Sequence, residues 1–287
     1  MLENTMCQLC QQNKELRKSH IIPKFVGEWI KETSVTGKMR AANNPNLRIQ
    51  DSNRGELLCG ECEQLFSVYE KYFSETFFRP FLNTRSPIIQ YDEKLRKFVV
   101  SFLWRVLVAS DAKWKNKKHE LAAQHTKQIW RDYLYNNVNL DSPQYLLMLK
   151  LVPDAKMVEG PLALDLNWYF FSTADITIAQ NDEDALVYAK IPGFSFFASI
   201  YRHHLSFFQN CQIMNQGTFD FNAQNVDSDI FRFLLNRANL MFSQIQSLSD
   251  SQLSKIESDY EKFADKIPTS YGFKIYLAKQ FRNKKKT

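Results

Sequence analysis

The chain has 287 residues, of which 44% are hydrophobic and 14% aromatic, and its formal net charge at neutral pH is +6. With only eight glycines and nine prolines, this composition excludes a disordered or low-complexity protein. The mild excess of positive charge permits an anionic partner but does not identify one. No apolar run approaches the ~18 residues of a membrane span, so we expect no membrane partner.

The N-terminal part of the chain contains two Cys-x-x-Cys pairs, Cys7 with Cys10 and Cys59 with Cys62. Each pair can present both thiolates from one tight turn, and two pairs complete a tetrahedral zinc site. The polar N-terminus does not resemble a signal peptide, and paired cysteines of this spacing suit zinc in a reducing compartment better than disulfides. We therefore expect a cytoplasmic protein in which these four cysteines hold a structural zinc ion.

The sequence between the two pairs predicts a fixed order of elements. A strand and turn occupy residues 15–25, where His20 lies shortly before Pro23. A short helix follows at residues 25–30, and a polar loop at 33–51 contains a strand near 47–49. An amphipathic helix begins at Cys62.

This order of knuckle, histidine-bearing strand, loop, second knuckle and helix resembles the treble-clef HNH (ββα-metal) endonucleases. The branch with two structural Cys-x-x-Cys pairs, typified by phage endonuclease VII resolvases, is the most similar in pattern. The resemblance covers about the first 70 residues. It implies a zinc-binding nuclease finger that hydrolyses nucleic-acid phosphodiester bonds, with DNA expected in preference to RNA. It also implies that His20 is the general base that activates water.

Two positions depart from the pattern of that family. The metal-binding Asp of the family falls on Ser19, a weaker ligand, and the Asn or His after the last cysteine falls on Glu63. A carboxylate at Glu63 can hold a catalytic Mg²⁺ or Mn²⁺ ion, although the helix dipole also favours Glu in a first helical turn. His20 could alternatively be a hydrogen-bonded histidine that supports the hairpin.

Several polar residues around His20 are further candidates. Asn44, Asn46 or Asp51 could orient the imidazole or add a metal ligand, and the residues alone do not choose among them. The two asparagines flank Pro45, which is typical of a turn. Basic side chains in this segment could contact the phosphates of a nucleic acid: Arg17, Lys18, Lys24, Arg40, Arg48 and Arg54.

The remainder of the chain predicts helices, then strands, then helices. The helix after the second knuckle continues to residue 82, and two more helices span residues 95–114, with one broad buried face, and 119–135. Extended segments are then predicted at 145–152, 166–171, 185–189 and 194–200, with further pairing at 212–214 and 218–221. Helices end the chain at 227–247, buried nearly all round, and at 250–264.

These elements predict an α+β fold with an N-terminal zinc-binding treble-clef finger, a helical segment, a mostly antiparallel sheet and C-terminal helices. We expect a nuclease module at residues 1–75 and a body at 76–287. The body is predicted to be helical at 76–140, rich in sheet at 145–222 and helical at 227–287. It could bind a protein partner or form a homo-oligomer.

The sequence thus favours an HNH-like metal-dependent endonuclease. By analogy with other HNH modules joined to such bodies, a prokaryotic anti-phage defence effector is a plausible setting. The alternatives are a non-catalytic zinc module that binds nucleic acid or a protein partner, and a degenerate nuclease that needs a partner chain to complete its metal site. The basic C-terminal segment 274–287 is either a phosphate-contacting arm or a soluble tail.

Overall fold

The computed structural model describes residues 6–52, 54–84, 88–140, 146–150, 162–202, 208–226, 228–270 and 272–273. It has a mixed α+β fold with an N-terminal four-cysteine cluster, antiparallel sheets and C-terminal helices, which confirms the predicted fold class. Within the described ranges, no helix has the length and apolar character needed to cross a membrane. The basic segment 274–287 lies outside the described residues.

The N-terminal finger is a strand pair followed directly by a helix. Strand β1 (Leu16–His20) is antiparallel to β4 (Arg54–Cys59), with His20 opposite Arg54 in the register. The predicted short helix is α1 (Lys24–Thr33), and the predicted loop contains a hairpin of β2 (Met39–Ala41) and β3 (Asn44–Ile49). Helix α2 (Gly60–Phe73) begins immediately after β4, so the second knuckle joins a strand to a helix.

The central helices connect the finger to the body. Helix α2 continues through a π-helical turn (Ser74–Phe78) into α3 (Arg79–Thr84), and it is followed by α4 (Glu93–Ala109) and α5 (Lys117–Tyr135). The prediction of one buried face for α4 is wrong, because every residue from Leu95 to Leu107 is buried. Helix α4 contacts α2 and α5 as well as strands of the main sheet, so no side of it faces solvent along that span.

The main sheet is antiparallel throughout its four strands, in the order β6-β9-β8-β7. The strands are β6 (Leu146–Lys150), β7 (Asp175–Gln180), β8 (Ala185–Ile191) and β9 (Phe194–Tyr201). Gly193 turns the chain between β8 and β9 with a φ of 84°. A Cβ at this position would lie 2.9 Å from the ring of Phe81, so both the conformation and the close approach require glycine.

Two smaller sheets complete the strand pairing of the body. Strand β5 (Ile88–Tyr91) pairs with β11 (Gly217–Asp220), and β10 (Phe208–Gln209) pairs with β12 (Asn225–Val226). The segment predicted at 218–221 therefore pairs with a strand more than a hundred residues earlier in the chain. Of residues 212–214, where further pairing is predicted, Gln212 forms an isolated β-bridge, and none of the three belongs to a strand of the described structure.

The prediction of a strand at residues 166–171 is wrong, because this segment lies in helix α6 (Leu162–Ser172). Its buried side chains include Leu166, Tyr169 and Phe170, a helical spacing. Lys190 of β8 donates to the main-chain carbonyls of Tyr169 and Thr173, where the helix ends. Carbonyls at a helix C-terminus lack partners within the helix, so this lysine stabilises the end of α6.

The C-terminal helices are α7 (Ser228–Ile245) and α8 (Asp250–Lys262). The expectation that α7 is buried nearly all round is wrong. Its buried residues form one stripe of Ile230, Leu234, Ala238 and Met241, while Leu240 is exposed. Helix α8 has no buried residue.

One continuous cluster of buried apolar side chains extends from the cysteines to the main sheet. Phe73 of α2 stacks on Phe98 of α4 with ring centroids 4.1 Å apart, and its centroid is 5.7 Å from that of Phe196 in β9. The finger and the body therefore share a core across the predicted boundary at residue 75. The division into two domains stays a prediction.

Candidate metal centre and active site

The four cysteines of the two Cys-x-x-Cys pairs meet at one point. The Sγ atoms of Cys7, Cys10, Cys59 and Cys62 all lie within 4.8 Å of one another, and those of Cys10 and Cys59 are 3.9 Å apart. A tetrahedral ion with metal–sulfur bonds of about 2.3 Å places its sulfur ligands about 3.8 Å apart. The cluster is therefore close enough to bind a metal ion.

Backbone hydrogen bonds set the geometry of this cluster. The Cys7 amide donates to the Gln12 carbonyl at 3.0 Å, and the Gln8 amide donates to the Leu57 carbonyl at 2.9 Å, which ties the first knuckle to the second. The Cys59 amide donates to the Cys7 sulfur at 3.4 Å. A hydrogen bond from the Cys62 thiol lowers the pKa of Cys7, and the same bond raises the pKa of Cys62, so without a metal ion the two sulfur atoms share one proton.

His20 lies at the end of β1 beside an acidic and a basic side chain. Its Nε2 is 2.9 Å from Oδ1 of Asp51, and the other oxygen of Asp51 forms an ion pair with Arg54. An ionised Asp51 can only accept, which favours the tautomer in which Nε2–H donates to it and Nδ1 keeps its lone pair. The Nε of Arg54, which can only donate, lies 3.2 Å from the same nitrogen and favours the other tautomer. Of the three loop candidates, Asp51 is the residue that contacts His20, whereas Asn46 contacts Ser247 and Ser249.

The surroundings of His20 favour a neutral imidazole. Burial of the side chain is the main cause that lowers the pKa of His20, and the positive charges of Arg54 and Arg105 lower it further. Glu70 and Glu63 act in the opposite direction. Because the net shift is downward, the imidazole is neutral at pH 7 and can accept a proton.

Helix α2 places Glu63 and Glu70 on one face, two turns apart. Buried Arg105 of α4 forms an ion pair with Glu70 at 2.6 Å and donates to the main-chain carbonyl of His20, also at 2.6 Å. Arg105 therefore connects α2 and α4 to the end of β1, and it lies over the ring of Phe66. This arrangement fixes the backbone that presents the imidazole.

Glu63 differs from Glu70 in having an oxygen without a partner. Its Oε1 is buried and makes no hydrogen bond within the described structure. A buried carboxylate oxygen without a partner is unfavourable, and a hard divalent cation would satisfy it. The donor chemistry of Glu63 therefore fits a metal ligand, whereas the Glu70 carboxylate already binds Arg105.

A shallow trough in two parts runs along α2 beside Glu63 and Glu70. One part has a volume of ≈ 640 Å³ and a second part has ≈ 280 Å³, and Ser67 lines both. Arg17 and Glu63 line the larger part, and Glu70 lines the smaller one. Both carboxylates of α2 therefore border the trough, whereas His20 lines neither part.

The structure places Ser19 away from this trough. Its side chain is fully buried, and its hydroxyl donates to the Arg17 carbonyl at 3.3 Å and accepts from the Leu58 amide at 3.1 Å. These bonds hold β1 against β4. They occupy the hydroxyl, so the geometry offers no support for Ser19 as a metal ligand.

The six basic residues predicted to contact phosphates separate into two groups. Arg17 and Lys18 are exposed on β1, Lys24 pairs with Glu28 on α1, and Arg54 pairs with Asp51. Arg40 and Arg48 lie on the β2–β3 hairpin, where they bind side chains of α8.

Sequence reasoning missed Glu70 and Arg105. Glu70 follows Glu63 by seven residues in an amphipathic helix, which places both on one face. Arg105 is a charged residue in the apolar run of α4, a sign that it would be buried with a partner. Nothing in the sequence identified that partner.

No family model matches this chain, and comparison with curated proteins and with solved structures gives no match either.

Proposed function

We propose that this protein is a metal-dependent endonuclease of the HNH type that hydrolyses phosphodiester bonds in DNA. The observation that supports this function best is the neutral His20, which contacts Asp51 and whose pKa responds to the charge of Glu63, a residue with a buried oxygen that makes no hydrogen bond. The succession of two antiparallel strands and a helix around a four-cysteine cluster is the arrangement expected of a ββα-metal finger.

Zinc is the proposed ion at the four cysteines. Four thiolates in a tetrahedral arrangement are soft ligands that suit Zn²⁺, and a site with four protein ligands leaves no position open for a substrate. The proposed role of this ion is therefore structural. It would fix β4 and the start of α2, and through them Glu63.

His20 is the proposed general base. The Asp51 carboxylate accepts the Nε2 proton and thereby fixes the tautomer and the ring orientation, which leaves Nδ1 to take a proton from the attacking water. Arg105 positions the imidazole because it binds the main-chain carbonyl of His20. Arg17 and Lys18, both exposed on β1, would bind phosphates of the substrate.

Glu63 is the proposed ligand for a catalytic Mg²⁺ or Mn²⁺ ion. Such an ion, when bound, neutralises negative charge that develops on the phosphate oxygens. Mg²⁺ is often bound by one or two carboxylates together with water and substrate phosphate, so a single protein carboxylate is sufficient. Ser19 has no part in this proposal.

A plasmid-nicking assay tests the function. The zinc-loaded protein is incubated with supercoiled plasmid and Mg²⁺ or Mn²⁺, and the appearance of nicked circles is measured. We expect His20→Ala to slow nicking by about 10²- to 10⁴-fold, the usual contribution of a general base. His125→Ala, which changes an exposed histidine on α5, is the matched control and should leave the rate unchanged.

The alternative is a zinc module that binds nucleic acid without cleaving it. It is favoured by one observation, that Ser19 is buried between the strands and Glu63 is left as the proposed protein ligand for a catalytic ion. In that case the wild-type protein would show no metal-dependent nicking, and His20→Ala would change affinity or stability instead.

A further inference from the structure

Three cationic side chains lie together at the β2–β3 hairpin: Lys38, Arg40 and Arg48, here called the hairpin basic cluster. Arg40 and Arg48 are directly opposite each other in the strand register. Like charges in opposite positions of an antiparallel pair repel each other. The hairpin therefore favours an anion beside this pair.

In the structure the C-terminal helix α8 supplies that anion. Asp259 is 3.0 Å from the Lys38 ammonium and 3.0 Å from the Arg48 guanidinium, while Arg40 binds only neutral oxygens of Pro45 and Gln252. The hydrogen bond from Lys38 is the largest cause that lowers the pKa of Asp259, and the charges of Arg48 and Lys262 add to it. One carboxylate thus faces a cluster of three cations, which leaves an excess of positive charge.

The hydrogen bonds and ion pairs between α8 and the hairpin join polar side chains, and Ile256, on the same face of α8 as Gln252 and Asp259, is only half-buried. Helix α8 has no buried residue, and Leu253 and Tyr260 on it are exposed. Beyond Asp259 and Gln252, the hairpin is bound through Asn46, whose oxygen accepts from the Ser249 amide at 2.9 Å. Ion pairs near the surface contribute little net stability and are screened by salt, so a competing polyanion could separate α8 from the hairpin.

We infer that the hairpin basic cluster is a binding site for the phosphodiester backbone of DNA, and that α8 is a displaceable cover whose Asp259 occupies the place of a phosphate. A phosphodiester matches this site because an arginine guanidinium binds two of its oxygens at once, and because a DNA strand presents several singly charged phosphates where α8 presents one carboxylate. The inference rests on the proposed function in one respect, that the bound DNA is the strand that reaches His20.

The hairpin is well placed for this role. Strand β3 ends at Ile49, two residues before Asp51, and β4 begins at Arg54 opposite His20. The chain therefore passes from the basic cluster to the residues around the imidazole within a few residues. A duplex bound at the hairpin would lie next to the proposed catalytic groups.

Measurements of DNA affinity test whether α8 covers the hairpin basic cluster. Binding of a short fluorescein-labelled DNA duplex is followed by anisotropy without divalent cations, so that cleavage has no influence. We expect Asp259→Asn to bind about tenfold more tightly at low salt than the wild type. Its log–log salt dependence should stay close to that of the wild type, because the same three cations contact phosphates in both complexes once α8 has left the hairpin.

The matched control is Glu257→Gln on the same helix. Glu257 is exposed and forms no ion pair within the described structure, so the substitution makes the same change in net charge away from the hairpin. If Glu257→Gln increases affinity as much as Asp259→Asn does, the inference that α8 covers the site is refuted. Arg48→Ala should lower the affinity of both the wild type and the Asp259→Asn variant.

Hydrogen exchange gives a second, direct measurement. Saturating duplex should accelerate amide exchange in α8 of the wild-type protein, because the helix leaves the hairpin. Unchanged or slower exchange in α8 would overturn the inference. Plasmid nicking does not test this inference. If the wild-type protein fails to nick plasmid but Asp259→Asn binds DNA more tightly, the inference about α8 is supported and the proposed nuclease function is refuted. If the protein nicks plasmid but Asp259→Asn does not bind DNA more tightly, the nuclease function is supported and the inference that α8 covers the site is refuted.

Discussion

Buried and half-buried charged groups occur in two regions of the molecule, and the two regions use them differently. In the body, Asp175 accepts two hydrogen bonds from Arg237 and one from Tyr169. In the finger, Glu63 keeps a buried oxygen without a partner, and His20 keeps a nitrogen that can act as a base.

The buried lysine of the body follows the same rule as Asp175. Lys190 is fully buried, which lowers its pKa well below the usual range, and its Nζ donates to the Tyr169 and Thr173 carbonyls and to the Thr173 hydroxyl. Fully satisfied polar groups stabilise a fold, whereas groups with free capacity are available to a ligand. The groups around Asp175 and Lys190 are therefore satisfied within the fold, whereas Glu63 keeps an oxygen that is available to a ligand.

Among the experiments that test this comparison, removal of the metal ion from the finger should have the largest effect on stability. Cys59→Ser, or a strong chelator, should release the bound ion and unfold the finger, since structural zinc contributes about 10–16 kcal/mol in small zinc domains. Elemental analysis should give one zinc ion per wild-type chain and less for the variant, with a lower Tm. Cys211→Ala, at a buried cysteine outside the cluster, should retain the zinc. A Cys59→Ser protein with full zinc content would contradict the proposed site.

The next effect concerns the body network. Arg237→Ala leaves Asp175 buried without its cation and should lower the free energy of unfolding by about 3–5 kcal/mol. Chemical denaturation measures this loss. Arg232→Ala, which removes an exposed arginine paired with Asp229 on the same helix, should change it by less than about 1 kcal/mol. If Arg237→Ala and Arg232→Ala have the same free energy of unfolding, the ion pair between Arg237 and Asp175 does not stabilise the fold.

A smaller effect is expected from the residue that orients His20. Asp51→Ala should reduce the kcat of plasmid nicking by about 10- to 100-fold, because the imidazole loses the hydrogen bond that fixes its tautomer. KM should change little, since Asp51 is not among the groups proposed to bind phosphate. Asp111→Ala, at an exposed aspartate beyond α4, is the control. A change confined to KM would argue against the orienting role.

The smallest effect is a shift of the pH profile. Because the pKa of His20 is lowered, activity should fall only when the pH drops through a value below the ordinary 6.5. Arg54→Ala removes a charge that lowers this pKa, so the acid limb should move to higher pH, by up to about one unit. Arg17→Ala should change KM and leave the limb in place. A limb that moves to lower pH in Arg54→Ala would refute the assignment of His20 as the base.

Local patterns in the sequence predicted the finger well. The spacing of the two cysteine pairs predicted the four-cysteine cluster, and the short segments around them predicted β1, α1 and α2. These features depend on neighbours within a few residues, which is the range over which sequence patterns are informative. The role of His20 came from the family resemblance and stays a prediction.

Other features depended on contacts between distant segments. The segment at 166–171 has the aromatic alternation of a strand, yet it is helical. Its apolar side chains pack into the core, and Lys190 donates to carbonyls at the end of the helix. The predictions of which faces of α4 and α7 are buried were also wrong, because the elements packed around a helix decide which of its apolar residues are covered.

The sequence by itself determined the metal-binding cysteines, the order of the finger elements and the α+β class. Only the tertiary structure selected Asp51 as the partner of His20, joined Arg105 to Glu70 and to the His20 carbonyl, and placed α8 on the basic hairpin. The reason is physical: a motif is set by chain geometry over a few residues, whereas the partner of a charged side chain is set by which distant segments share the core.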